Sequence, residues 1–119
     1  MFKTESLAAN ILKITAPEKL SADDFKSLAP QVDAVIQQHG KIRLLIDATH
    51  LTGWSNIASF EAHLGFVKTH QHQAERVAII IGHDWQRWIA AFAGAFLHPL
   101  IKTFTSAEEA AAAAWIASP

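Results

Sequence analysis

Ile42-Arg43-Leu44-Leu45-Ile46-Asp47 is a nearly continuous apolar run, preceded by Gly40-Lys41 and closed by an aspartate. Runs of this kind suit a strand covered on both faces, as in a parallel sheet with helices on either side. The same signature returns at Val77-Ala78-Ile79-Ile80-Ile81. Upstream, Phe25, Leu28, Val32, Val35 and Ile36 recur at helical spacing, so a helix leads into the first run. Ser21 is placed to cap it, Asp23 and Asp24 suit the positive end of its dipole, and Gly40 ends it. Pro30 inside that helix predicts a kink or a restart.

The rest of the chain alternates in the same manner. Residues 3–8 and 10–15 are short, partly alternating segments that predict a β-hairpin turned near Asn10. Between the two buried runs, Ile57, Phe60, Leu64 and Val67 mark a helix that Ser55 is placed to cap. After the second run, Gly82-His83-Asp84 turns into a third helix, which Pro99 stops. Leu100 to Phe104 predicts a short strand. Ser106-Ala107-Glu108-Glu109 reads as a capping box for a last helix, with Ala110 to Ala114 in its middle and Trp115 and Ile116 near its end. The order β-β-α-β-α-β-α-β-α predicts an α/β sandwich with a mostly parallel sheet and an N-terminal hairpin. Residues 1–119 read as one domain.

Composition narrows the function. The 119 residues carry ten basic and eleven acidic side chains, a net charge of −1, which offers no field for a phosphate backbone and argues against nucleic acid. With no cysteine, disulfides, thiolate metal sites and cysteine nucleophiles are excluded, and a reducing, cytoplasmic setting is expected. The N-terminal residues have no apolar segment of signal-peptide length. The most apolar window, Trp88 to Leu97, spans about ten residues, against roughly 20 for a bilayer crossing. The aromatic set is unusual, with seven Phe, four Trp and no Tyr.

At the level of motif, the chain resembles a known family. The Ser-Ala-Asp-Asp-Phe helix start, the segment Gly40 to Asp47 and Gly53-Trp54 look like the SpoIIAA-like proteins. Arg76-Val77-Ala78-Ile79-Ile80, Asp84-Trp85 and the closing Ala-rich helix with Trp115 fit the same pattern. The resemblance implies a STAS-type fold, related in shape to anti-sigma-factor antagonists and to lipid-carrying CRAL-TRIO domains. In the antagonists an Asp-Ser-Ser-Gly-like segment carries a phosphorylated serine. Here the region reads Leu51-Thr52-Gly53-Trp54-Ser55-Asn56, so Ser55 lies near the expected place without the surrounding signature. It is a regulatory candidate or simply a helix cap.

Candidate chemistry is sparse. Seven histidines invite a metal site, yet His63 and His70 lie about 10 Å apart along a helix axis, too far to share one ion. His70-Gln71-His72 chelates only where a helix has ended, and no metal or cofactor is expected. No nucleophile elbow, phosphate loop or metalloprotease helix is present, so no catalytic residue is named. Asp47 ends the central strand with His50 three residues on, at the end where open α/β sheets bind ligands. That pair is read as the polar rim of a site, with Asp47 alternatively holding the loop that follows. From Trp85 to Leu97 the only strongly polar side chains are Gln86 and Arg87. Trp85, Trp88, Ile89, Phe92 and Phe96 fill one stripe, and small apolar residues fill much of the rest.

A helix apolar on most sides is covered by something, since each wet Trp or Phe forgoes roughly 2–3 kcal/mol. Its coverings are the protein's own core, an apolar ligand enclosed with Trp54, a second copy in a homodimer, or a membrane surface. Peripheral membrane contact has thin support, because interfacial helices carry a basic face. Two functions follow as expectations: a non-enzymatic domain holding an apolar or lipid-like molecule under residues 84–98, or a protein-interaction module resembling anti-sigma-factor antagonists.

Overall fold

A computed structural model of the chain describes residues 2–8, 10–51, 53–54, 57–70, 73–82 and 100–118. Strands β1 (Lys3–Ala8) and β2 (Ile11–Thr15) form the expected antiparallel hairpin, with Asn10 in the turn. The Asn10 side-chain amide donates to the Lys41 carbonyl and to Glu75 Oε1, each at 3.2 Å. The turn residue thus ties the hairpin to two other elements. After the two-residue strand β3 (Lys19–Leu20), helix α1 runs from Ala22 to His39. Ser21 caps it in a reciprocal box: Asp24 N–H donates to Ser21 Oγ, and Ser21 N–H donates to the Asp24 carboxylate. Burial works against the Asp24 charge, but the bonds with Ser21 outweigh it and hold its pKa below the usual value. Gly40 ends α1 in the left-handed conformation, at φ 81°. Of the kink or restart expected at Pro30, no restart occurs, and the helix is continuous through it. Phe25, Leu28 and Val32 anchor it on both sides of the proline.

Strand β4 (Ile42–Ala48) leads to the two-residue strand β5 (Gly53–Trp54), helix α2 (Ile57–His70) and strand β6 (Ala74–Ile81). Strand β7 (Leu100–Thr105) passes through a short 3-10 turn, Ser106–Glu108, into helix α3 (Glu109–Ala117). The five long strands form one sheet in the order β1-β2-β4-β6-β7, antiparallel between β1 and β2 and parallel elsewhere. The capping box sits one residue earlier than the sequence suggests and belongs to the 3-10 turn that leads into α3. The Glu108 carboxylate accepts from Thr105 N–H at 3.0 Å and from its hydroxyl at 3.1 Å, so Thr105 replaces Ser106 in that role. Those bonds lower the Glu108 pKa, the backbone one most. The tight turn before α3 is what moves the register.

Each sheet face carries its own core. On one, Leu12, Ile14, Leu44, Val77 and Ile79 pack with Phe25, Leu28 and Val32 of α1, and Ala62 and Phe66 of α2 lie against them. On the other, Ile11, Leu45, Ala78, Ile80 and Phe104 pack with Ala112 and Ile116 of α3. Alternation within β4 therefore sends Leu44 and Leu45 into different cores, the physical reason its sequence reads as unbroken apolar. Ala112 and Ile116 are wholly buried while Ala110, Ala111 and Ala114 are exposed, so α3 packs along the Ala112–Ile116 stripe.

The two arginines beside those cores have a clear task. Arg43 and Arg76 are paired neighbours on β4 and β6, where two like charges would repel. The carboxyl end of α3 lies across them and supplies negative carbonyl ends. Arg43 Nη1 donates to the Ile116 carbonyl at 3.0 Å and to that of Ser118. Arg76 Nη1 donates to the Trp115 carbonyl at 3.0 Å and to the Ser118 hydroxyl. The Arg76 guanidinium also lies over the Trp115 ring, 5.3 Å from its centroid. Glu75 balances part of the charge, 3.6 Å from Arg43 Nε.

Candidate functional site

In a sheet of this order, the chain leaves each parallel strand at the same edge, and the connections there are free to vary. Asp47, one residue before the end of β4, is half-buried at that edge, and its carboxylate is turned inward onto its own loop. Oδ1 accepts from Thr49 N–H at 3.1 Å and from the Thr49 hydroxyl at 2.7 Å. This is the short Asp-x-Thr turn in which a side chain substitutes for backbone bonding. Leu51 N–H closes the same turn on the Ala48 carbonyl at 3.1 Å. Leu51 is buried while His50 faces solvent. Asp47 is thus a fixture of the loop, with Thr49 as its partner, and the structure does not join it to His50.

Two further anchors hold the segment after β4. The strand pair β3–β5 sets Lys19 against Gly53 and Leu20 against Trp54, in a small parallel sheet ahead of α1. Leu20 of that pair is almost wholly buried. At the other side, Gly82 follows β6 against the Thr49 peptide. A Cβ at Gly82 would lie 2.5 Å from the Thr49 carbonyl oxygen, closer than such atoms approach. Only glycine admits the loop at this depth. Ala16 N–H, beyond β2, donates to the Asp47 carbonyl at 2.9 Å and completes the edge.

The sequence-derived candidates divide accordingly. Asp47, His50 and the backbone of Trp54 belong to this edge. Ser55 lies outside the described residues, as do Trp85, Trp88, Ile89, Phe92 and Phe96. The anchors Thr49, Gly82 and β3 were not anticipated. Asp47-Ala48-Thr49 carries a local signal for its turn, and a glycine ending a buried strand is a weaker one. A two-residue strand carries no pattern at all.

Two of the histidines, His63 and His70, pack between α1 and α2. His63 stacks on Phe25 with ring centroids 4.7 Å apart, and burial pushes its pKa down to about 3. His70 places Nδ1 2.8 Å from the Phe66 carbonyl and Nε2 2.8 Å from Asp33 Oδ1. Among the described residues no group of three or more His, Cys, Asp or Glu side chains is placed to hold a metal ion. No described helix is long and apolar enough to cross a membrane.

Comparison with known proteins follows this geometry. No curated protein matches the chain. Among solved structures, an uncharacterised protein from Shewanella loihica with a SpoIIAA-like fold is 24% identical, at a TM-score of 0.76 over 98% of this chain and 92% of that one. The anti-sigma-factor antagonist SpoIIAA in its unphosphorylated form is 15% identical, at a TM-score of 0.64 over 97% of this chain and 98% of that one. The phosphorylated form of the Bacillus cell-fate determinant SpoIIAA gives 15% and 0.60, over 93% and 97%. These likenesses establish a shared fold. A family model described as SpoIIAA-like matches residues 11–117, nearly the whole chain, and the protein therefore belongs to the SpoIIAA-like family.

Proposed function

We propose that this protein is a non-enzymatic interaction module that docks a partner protein through residues 49–56, at the carboxyl edge of its parallel strands. The observation that carries this reading is the anchoring of that segment at three points: Asp47 on Thr49, Gly82 against the Thr49 peptide, and β3 on β5. Residues 49–51 and 53–54, held this way, enter an interface with little left to order, which lowers the cost of association. His50 is turned outward from that segment. Ser55 follows β5 directly in sequence, and a negative charge there would alter what the segment accepts. Whole-chain likeness to an anti-sigma-factor antagonist supports a protein partner. It lends no comparable support to the apolar-ligand expectation at Trp54 and residues 85–96.

Site-specific crosslinking in cells tests the reading. A photoreactive side chain at His50 is expected to capture one protein reproducibly, whereas the same group at His39, exposed at the far end of α1, does not. Ser55→Asp is expected to remove most of the His50 product. Equal capture from both positions, or capture indifferent to Ser55→Asp, overturns the proposal.

A further inference from the structure

Strand β1 forms one outer edge of the five-stranded sheet, paired only with β2 among the described residues. Lys3, Glu5, Ser6 and Leu7 are all exposed along it, and Leu7, at 42%, is the exposed large hydrophobic among the described residues. An edge strand turns alternate N–H and C=O groups away from its neighbour, where another strand can bond to them. The two faces of β1 differ. The Thr4 hydroxyl donates to the Gln31 side chain of α1, which places Thr4 on the α1 face. Lys3 and Glu5, one residue to either side, point to the opposite face. There Glu5 lies opposite Lys13 of β2, whose ammonium group is 3.6 Å from Glu109 of α3. Neither Lys3 nor Glu5 has an ion-pair partner among the described residues.

We propose that β1 docks on β1 of a second copy, antiparallel about a two-fold axis at Thr4, so that two sheets join edge to edge. Charge selects both the occupant and the register. A two-fold axis normal to a sheet passes between one residue and its own copy, so the residues flanking it face each other in pairs. Centred on Lys3, that places ammonium against ammonium, and centred on Glu5, carboxylate against carboxylate. Centred on Thr4, each Lys3 faces the Glu5 of the other copy, giving two opposite-charge pairs on one face and a threonine pair on the other. Each Glu5 then sits between Lys13 of its own chain and Lys3 of the other. The register shift between Ser6 and Ala8 interrupts the strand beyond this point, which confines regular pairing to its first residues. Charges on an edge usually keep strands apart. Lys3-Thr4-Glu5 repels a strand that carries one sign of charge and accepts a copy of itself.

Sedimentation equilibrium from about 10 μM to 1 mM covers the affinities that a short strand-to-strand contact reaches. The natural protein is expected to dimerise in that range. Lys3→Glu and Glu5→Lys each turn two attractive pairs into two repulsive ones and are expected to weaken the dimer about thirtyfold. Both side chains are exposed, so neither reversal disturbs the fold. An equimolar mixture of the two variants restores both attractions, since one chain offers two carboxylates and the other two ammonium groups at positions 3 and 5. Its association is expected to return to within about threefold of the natural protein. A natural protein that stays monomeric throughout that range overturns the proposal. So do single variants that dimerise as the natural protein does, or a mixture that associates no better than its components.

The chain has no cysteine, so a single Thr4→Cys reports the axis. Its two Cβ atoms would lie about 5 Å apart across the axis, close to the span of a disulfide. Those of Ser6→Cys would be roughly 14 Å apart, since four residues of strand separate them. Under mild oxidation the covalent dimer is expected to form about tenfold faster from Thr4→Cys than from Ser6→Cys. Equal rates, or a faster Ser6→Cys, overturn the pairing at Thr4.

Discussion

Gly82→Ala is expected to lower the stability of the domain by about 2 kcal/mol, the usual cost of forcing an extra carbon into packed structure. For a chain of this size that corresponds to a fall in Tm of roughly 8 °C. The new methyl would lie 2.5 Å from the Thr49 carbonyl oxygen and 3.3 Å from its carbon. Both are backbone atoms, so no side chain can swing aside. Either the end of β6 or the turn after β4 must move, and the turn is also held by Asp47 through two hydrogen bonds. The same substitution at Gly65 provides the contrast. Gly65 is exposed within α2 and a Cβ there meets nothing within 4 Å, so Gly65→Ala should stabilise by about 0.5–1 kcal/mol. Thermal unfolding distinguishes them, and amide shifts over residues 49–54 report the displaced loop. A Tm for Gly82→Ala within about 2 °C of the parent, with the Thr49 amide unmoved, would show that the close approach is not a constraint.

The second large effect lies at the opposite sheet face. Arg43→Met and Arg76→Met are each expected to cost about 2–3 kcal/mol, because charge-assisted bonds to two acceptors are lost and the carbonyls of the α3 terminus are left facing an apolar chain. Arg43→Met also takes the guanidinium away from the half-buried Glu75, which keeps its bond from Asn10. The double variant should cost clearly less than the sum. Both side chains hold one helix end, and a helix already released has little left to lose. Lysine should restore part of the loss, since one nitrogen, Nη1, serves both acceptors of each arginine, but it lacks the flat guanidinium that Arg76 lays over Trp115. Urea unfolding of the four proteins completes the cycle. Additive losses would mean that each arginine acts alone, and single losses below about 0.5 kcal/mol would mean that neither holds α3.

Most of the architecture was legible without coordinates because its signals are local. Ser21 and Gly40 bracket α1 by chemistry that needs only neighbouring residues. The apolar runs of β4 and β6 declare two covered faces because consecutive side chains point opposite ways. Thr105 displaced the anticipated cap by one residue for a related reason. Ser106 and Thr105 are both good caps with a glutamate three residues on, and the choice depends on how β7 delivers the chain into the turn.

The candidate site was legible only in part. The sequence left Asp47 two roles, the polar rim of a site beside His50 or the holder of the loop that follows, and the structure shows the second: its carboxylate accepts from the amide and the hydroxyl of Thr49. By itself, then, the sequence determined the order of the long described strands and helices and the mostly parallel sheet, through periodicity and neighbours along the chain, and its motifs carried the family resemblance. Tertiary structure alone decided that Lys19–Leu20 would pair with Gly53–Trp54, that Gly82 would seat the Thr49 peptide, and that His63 would lie against Phe25. Each of these joins residues more than 30 positions apart, and contact at that separation is set by how the layers pack.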